Sequence, residues 1–144
     1  MVSQYNYLKI LTVSTQAKKT TPKFERARYI AEKTPTIYIS GTAAIRGEES
    51  CREDVVRQTA LTMENIDHLI SLNNQIASGV KHPGDMKYVL LRAYIKDRDH
   101  FSQVQSWMQI HYPTLETIYL LADICREELL IEIEGIAIED KTKI

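Results

Sequence analysis

Three acids and a thiol gather near the end of the sequence, where Asp123, Cys125, Glu132 and Glu134 fall within Ala122-Asp-Ile-Cys-Arg-Glu-Glu-Leu-Leu-Ile-Glu-Ile-Glu-Gly-Ile-Ala137. Strand-like alternation on both sides of Arg126-Glu127-Glu128-Leu129 predicts a hairpin with these four side chains on one face. A turn centred on Glu128 and Leu129 sets Cys125 opposite Glu132. Cross-strand Cβ atoms in that register are roughly 4.5 to 5.5 Å apart, so a thiol and a carboxyl can act on one small ligand. For Glu132 to donate a proton near neutral pH, burial or the neighbouring Asp123 and Glu134 must raise its pKa. Glu132 or Glu134 would otherwise serve as an ion-pair partner of Arg92 or Arg126 at a subunit interface.

A second group lies around Ser40-Gly41-Thr42, where the backbone amides of Gly41 and Thr42, with Arg46 beyond them, can receive a ligand carboxylate. Other chemistries are missing from the pattern. His68, His82, His100 and His111 have no metal-ligand spacing, and Cys51 and Cys125 lack the close companions a zinc site needs. Ser40 has no identifiable base, and no Gly-Lys-Ser/Thr follows Gly41 or Gly47 to complete a phosphate loop. The expectation is a site without metal or cofactor.

The elements that must position these groups follow from periodicity. Tyr5 to Thr15, Arg28 to Ala31 and Thr36 to Ser40 read as strands, the last ended by Gly41. Asp54 to Ser71 places Val55, Thr59, Met63, Ile66 and Ile70 on one helical stripe, with Arg57, Gln58, Glu64 and Asp67 facing elsewhere and a cap from Ser50 with Glu53. Ser78 to Asp85, with two glycines and a proline, forms a loop. From Met86 to Ile95, Val89, Leu91, Ala93 and Ile95 make one strand face and Tyr88, Leu90, Arg92 and Tyr94 the other. Asp97 or Asp99 caps a second helix, whose stripe is Phe101, Val104, Met108 and His111 before Pro113 stops it. This order predicts a two-layer α+β domain, a mostly antiparallel sheet with two helices on one face. Its other face carries Arg92, Tyr119, Asp123, Glu132 and Glu134 among leucines, a mixture suited to an oligomer interface enclosing polar clefts.

The 144 residues are 44% hydrophobic, enough for one domain spanning 1–144 with a core independent of disulfides. A net charge of −1 provides no sustained field for nucleic acid. The densest basic stretch, Lys18-Lys19-Thr20-Thr21-Pro22-Lys23, reads as a solvated loop and strand edge. No apolar run reaches the roughly 18 residues of a membrane span and no secretory signal opens the chain, so a cytoplasmic location without membrane partners is expected.

Ile37-Tyr-Ile-Ser-Gly-Thr42, Gln58 with Glu64-Asn65-Ile66, Tyr94-Ile-Lys-Asp97, Tyr112-Pro113 and Ile131-Glu-Ile-Glu-Gly-Ile-Ala137 resemble the RidA/YjgF family. That resemblance implies a chorismate-mutase-like fold with six strands, assembly as a homotrimer, and ligand clefts between subunits. Deaminating members carry a carboxylate-binding arginine two residues after the proline of the Tyr-Pro segment, a position held here by Leu115. Three further segments are similar to the C-terminal RidA-like half of chorismatases: Thr21-Pro-Lys-Phe-Glu-Arg-Ala27, Ser40-Gly-Thr-Ala-Ala-Ile-Arg-Gly-Glu-Glu-Ser50, and Ala122 to Glu134. This narrower resemblance implies Glu132 as proton donor to an enol ether and Cys125 as a residue of the hydroxybenzoate-forming branch. Glu48 departs from the histidine usual there. Three functions follow as expectations. The first is a trimer whose inter-subunit clefts bind a small carboxylate metabolite through Ser40, Gly41, Thr42, Arg46, Arg92, Tyr119 and Glu134 and transform it with Glu132 and Cys125. The second is a metabolite-binding protein without chemistry. The third is RNA cleavage or translation inhibition, disfavoured by the acidic cleft.

Overall fold

The computed structural model describes residues 25–142, together with the backbone of residues 11–13. Of the strand expected from Tyr5 to Thr15, only β1 (Leu11–Val13) falls among the described residues. The Lys18 to Lys23 stretch lies outside them, as do Thr21 to Phe24 of the chorismatase-like segment.

Mixed α+β architecture is what the alternating patterns build. The strands β2 (Ala27–Ile30) and β3 (Thr36–Ala43) precede a short β4–β5 ribbon (Ile45–Arg46 and Glu49–Ser50) and helix α1 (Val55–Ile70). Then come α2 (Leu72–Ala77), β6 (Met86–Ile95), α3 (Phe101–His111), β7 (Thr117–Leu121) and β8 (Ile131–Glu139). The main sheet runs β1-β2-β3-β8-β6-β7, with parallel pairs at its two ends and antiparallel pairs between. Its inner face, including Ile37, Ile39, Leu91, Ala93, Ile95, Ile131 and Ile133, packs in one buried cluster with Met63, Ile66 and Leu69 of α1 and Val104 and Met108 of α3. Burial of such side chains contributes roughly 1.5–3 kcal/mol each, which is what holds the helical layer on the sheet.

The expected closing hairpin does not form. β7 pairs in parallel with β6 after the α3 crossover, while β8 inserts between β3 and β6. Residues 122–130 are therefore a connecting loop, and Cys125 has no ladder partner. Parallel neighbours need a long crossover and antiparallel ones do not, but the alternation of β8 alone names neither neighbour.

Several local expectations are also corrected. β3 continues past Gly41 through a bulge, since Ile39 pairs with Gly135 but Thr42 with Ile133. A second bulge at Val89 shifts the face of β6, leaving Val89 exposed and Tyr88 packed against the core. α1 is capped by Asp54, whose side chain accepts from the Arg57 amide, instead of by Ser50. Asp97 caps a short 3-10 turn, Arg98–His100, that leads into α3. Gln58 is fully buried. Ser71 caps α2, a further helix between the expected helix that ends at Ser71 and the loop that begins at Ser78.

Candidate functional site

On the outer face of the sheet, period-two alternation along β8 turns Glu132 and Glu134 away from the buried Ile131 and Ile133. Arg92 pairs across with Glu134, and Tyr94 with Glu132. Arg92 Nε donates to Glu134 Oε1 at 2.8 Å and the Tyr94 hydroxyl donates to the same oxygen at 2.5 Å. These bonds, Tyr94 first and then the Arg92 guanidinium, hold the Glu134 carboxyl below the usual range.

Glu132 is shifted the other way. Burial raises its pKa most, the Glu134 charge adds to this, and the Arg26 charge opposes it. Its carboxyl packs against the Cα of Gly41, where a side-chain carbon would overlap Glu132 Oε1. The bulge in β3 supplies this opening, because only glycine leaves the space beside the strand empty. Two neighbouring carboxyls whose environments push them apart form an acid and an anion, a division suited to proton transfer.

The loop after β7 closes the site. Tyr94, Ala122, Asp123, Ile124, Cys125, Glu132 and Glu134 line a cavity of about 430 Å³. Thus Asp123 and Cys125 meet Glu132 and Glu134 as expected from the sequence, but across a loop and a strand, not across a hairpin. Ile124 and Leu129 anchor the loop in a second apolar cluster with Ala43, Ala44, Ile45 and Leu61. Lys96 Nζ donates to the carbonyls of Arg126 and Glu127 at 2.8 and 3.0 Å, and lies 4.0 Å from the exposed Asp123 carboxylate. Arg126 in turn reaches Glu48 O at 3.1 Å and Ser50 Oγ at 3.0 Å, joining the loop to the β4–β5 ribbon.

The other candidates from the sequence divide. Gly41 stands against Glu132, but Thr42 is buried and its hydroxyl donates to Ser40 O at 2.9 Å, while Ser40 N donates to Arg26 O at 3.0 Å. Arg46 is not brought to the cavity lining; it is exposed and paired with Glu64 at 2.7 Å. Tyr119 pairs with Ala93 and packs against the main core, so it is on the opposite sheet face from Arg92. The expected outer-face position of Tyr119 requires β7 and β8 to be adjacent, which they are not; the outer residues of β7 are Ile118, opposite Arg92, and Leu120, opposite Tyr94.

Tyr94 and Arg26 were missed. Tyr94 was legible, two residues from Arg92 on one strand face. Arg26 was not, because its approach to Glu132 depends on tertiary placement. Among the described residues, no group of three or more His, Cys, Asp or Glu side chains can hold a metal ion, and no helix is long and apolar enough to cross a membrane.

No protein-family model matches the chain. A 3-hydroxybenzoate synthase of Streptomyces hygroscopicus is 31% identical over 123 residues, 80% of this chain and 36% of that protein. The chain thus spans about a third of that relative's length. A chorismatase crystal structure superposes with a TM-score of 0.71 at 26% identity, covering 88% of this chain and 41% of the other. A protein of unknown function of the conserved Rid family from Yersinia pestis, YyfA, superposes at 0.60 with 19% identity, covering 88% of this chain and 96% of that one.

Proposed function

We propose that this chain, which has a RidA-like fold and is homologous to chorismatases over part of their length, is a cytoplasmic homotrimer that binds a small carboxylate-bearing metabolite in clefts between its protomers and cleaves it by acid catalysis. The observation that carries this reading is the half-buried Glu132 carboxyl, with raised pKa, in the same cavity as Cys125. For an enol ether such as that of chorismate, Glu132 gives its proton to the terminal alkene carbon, leaving an oxygen-stabilised cation. Water adds to that cation, the hemiketal C–O bond breaks, and pyruvate and an alcohol leave while the surplus proton returns to Glu132. Glu134, kept anionic by Tyr94 and Arg92, favours the developing positive charge. Cys125, at the cavity wall, is the second group of the proposed chemistry. In this reading Ser40, Gly41, Thr42, Arg46, Arg92, Tyr119 and Glu134 remain candidates for ligand binding within the trimer, with Arg46 and Tyr119 needing a cleft other than the cavity described. Exposed Tyr38, Ile118 and Leu120 on the outer face support self-association. The test is incubation with chorismate and product identification by mass spectrometry. Release of pyruvate, lost in Glu132→Gln, supports the assignment; equal turnover by that variant rejects it.

Two observations favour a second reading, a binding protein without turnover. Leu115, at the position of the deaminase arginine, packs against the core, and Arg92 is already engaged by Glu134. Saturable chorismate binding without product would select it.

A further inference from the structure

We propose that Gln58 is a positioning residue for Glu132 and for the cavity wall bearing Cys125, acting from helix α1 through the backbone on both sides of Leu129. Gln58 is fully buried, and both ends of its carboxamide are engaged. Nε2 donates to Glu53 O and to Glu128 O, each at 3.0 Å, and Oε1 accepts from Leu130 N at 2.9 Å. A side chain so placed uses both donors and an acceptor in fixed directions, so the segment it binds has one arrangement. That segment joins the two halves of the site. Ahead of it, residues 122–125 line the cavity; after it, β8 begins at Ile131, and Glu132 is two residues beyond the amide that Gln58 holds. Leu129 between the two bonds is buried in the second cluster, so the clamp sets both its depth and the entry of β8.

Gln75 provides a matched comparison elsewhere in the molecule. It too is fully buried, donating to Ile70 O at 2.8 Å and Gly84 O at 2.9 Å and accepting from Gly84 N at 3.1 Å. It clamps the 78–85 loop instead of the cavity wall. Removing either carboxamide leaves buried backbone groups without partners, a similar loss of stability. Gln58 holds the chain two residues before Glu132, whereas the loop that Gln75 clamps meets β8 at its far end, at Glu139 and Asp140.

The proposal rests on the reading of Glu132 as the site acid, but its test does not require turnover. The Glu132 carboxyl is titrated by carbon NMR in the full chain, its signal assigned through Glu132→Gln, in wild type, Gln58→Met and Gln75→Met. The expected result is a downward displacement of the Glu132 titration in Gln58→Met, toward the ordinary glutamate range, with Gln75→Met matching wild type. An unmoved titration in Gln58→Met, or equal displacement in both variants, overturns the proposal. If Gln58→Met fails to fold, Gln58→Asn, which stays uncharged and keeps a carboxamide one methylene too short to hold both backbone segments, is titrated in its place and read by the same criteria. Where wild type turns over chorismate, its kcat–pH profile moves to lower pH in the Gln58 variant alone. Where it does not, the functional reading fails while the NMR result still decides the role of Gln58.

Discussion

Gly41 and Glu132 interlock: a Cβ on Gly41 would overlap Glu132 Oε1 and come within 3.0 Å of its Cδ. The acid keeps its half-buried position because the facing residue has no side chain. Gly41 has no positive φ, so its requirement is one of space and not of backbone conformation.

Gly41→Ala is therefore expected to fold while driving the Glu132 carboxyl toward solvent. Proton transfer by a positioned acid contributes roughly 10²–10⁴-fold, and loss of position should remove much of it from kcat with little change in KM. Steady-state kinetics with chorismate, beside a circular dichroism spectrum, check this.

Glu132 and Glu134 should affect stability with opposite signs. A carboxyl with a raised folded pKa binds extra protons when folded, so its contribution is full below the ordinary glutamate value and is lost as pH rises through the folded one. Glu134, lowered, contributes stability above its unfolded value that is lost as pH falls through its folded pKa. Glu132→Gln should consequently melt above wild type near pH 7, with the difference closing toward acid pH. A lower Tm for the variant at neutral pH would contradict the assigned direction.

Arg92 and Glu134 form a partly exposed pair that water screens, so Arg92→Met should cost little stability. Its larger consequence is electrostatic. Without the guanidinium, the Glu134 titration should move upward while the Tyr94 hydrogen bond still keeps it from full release, measurable in the same carboxyl NMR spectra.

Leu129→Ala should destabilise the fold by roughly 2–5 kcal/mol, the usual loss for a buried leucine in a cluster that cannot fully collapse. Urea unfolding measures it.

Much of this was legible locally. β6 has the bounds read from alternation, Met86–Ile95, and α1 begins one residue after the expected start because Asp54 caps it. The common face of Glu132 and Glu134 also follows from short-range pattern, whereas their meeting with Asp123 and Cys125 comes from the path of the 122–130 loop and not from the expected hairpin. What could not be read was which strands β8 joins. Its inward residues Ile131, Ile133 and Ala137 are buried wherever the strand is central, and the same alternation suits a hairpin with β7 or insertion between β3 and β6.

Sequence by itself determined the faces within unbroken stretches such as Leu91 to Ile95 and Ile131 to Glu134, because side-chain direction repeats every two residues along a strand. Tertiary structure decided the neighbours. The opening at Gly41, the charge of Arg26 near Glu132, the turning of Tyr119 into the core and the clamp of Gln58 on Glu128 and Leu130 all join residues far apart in the chain. Such contacts depend on loop closure, bulges and the competition of strands for one another's edges, quantities that no local window contains.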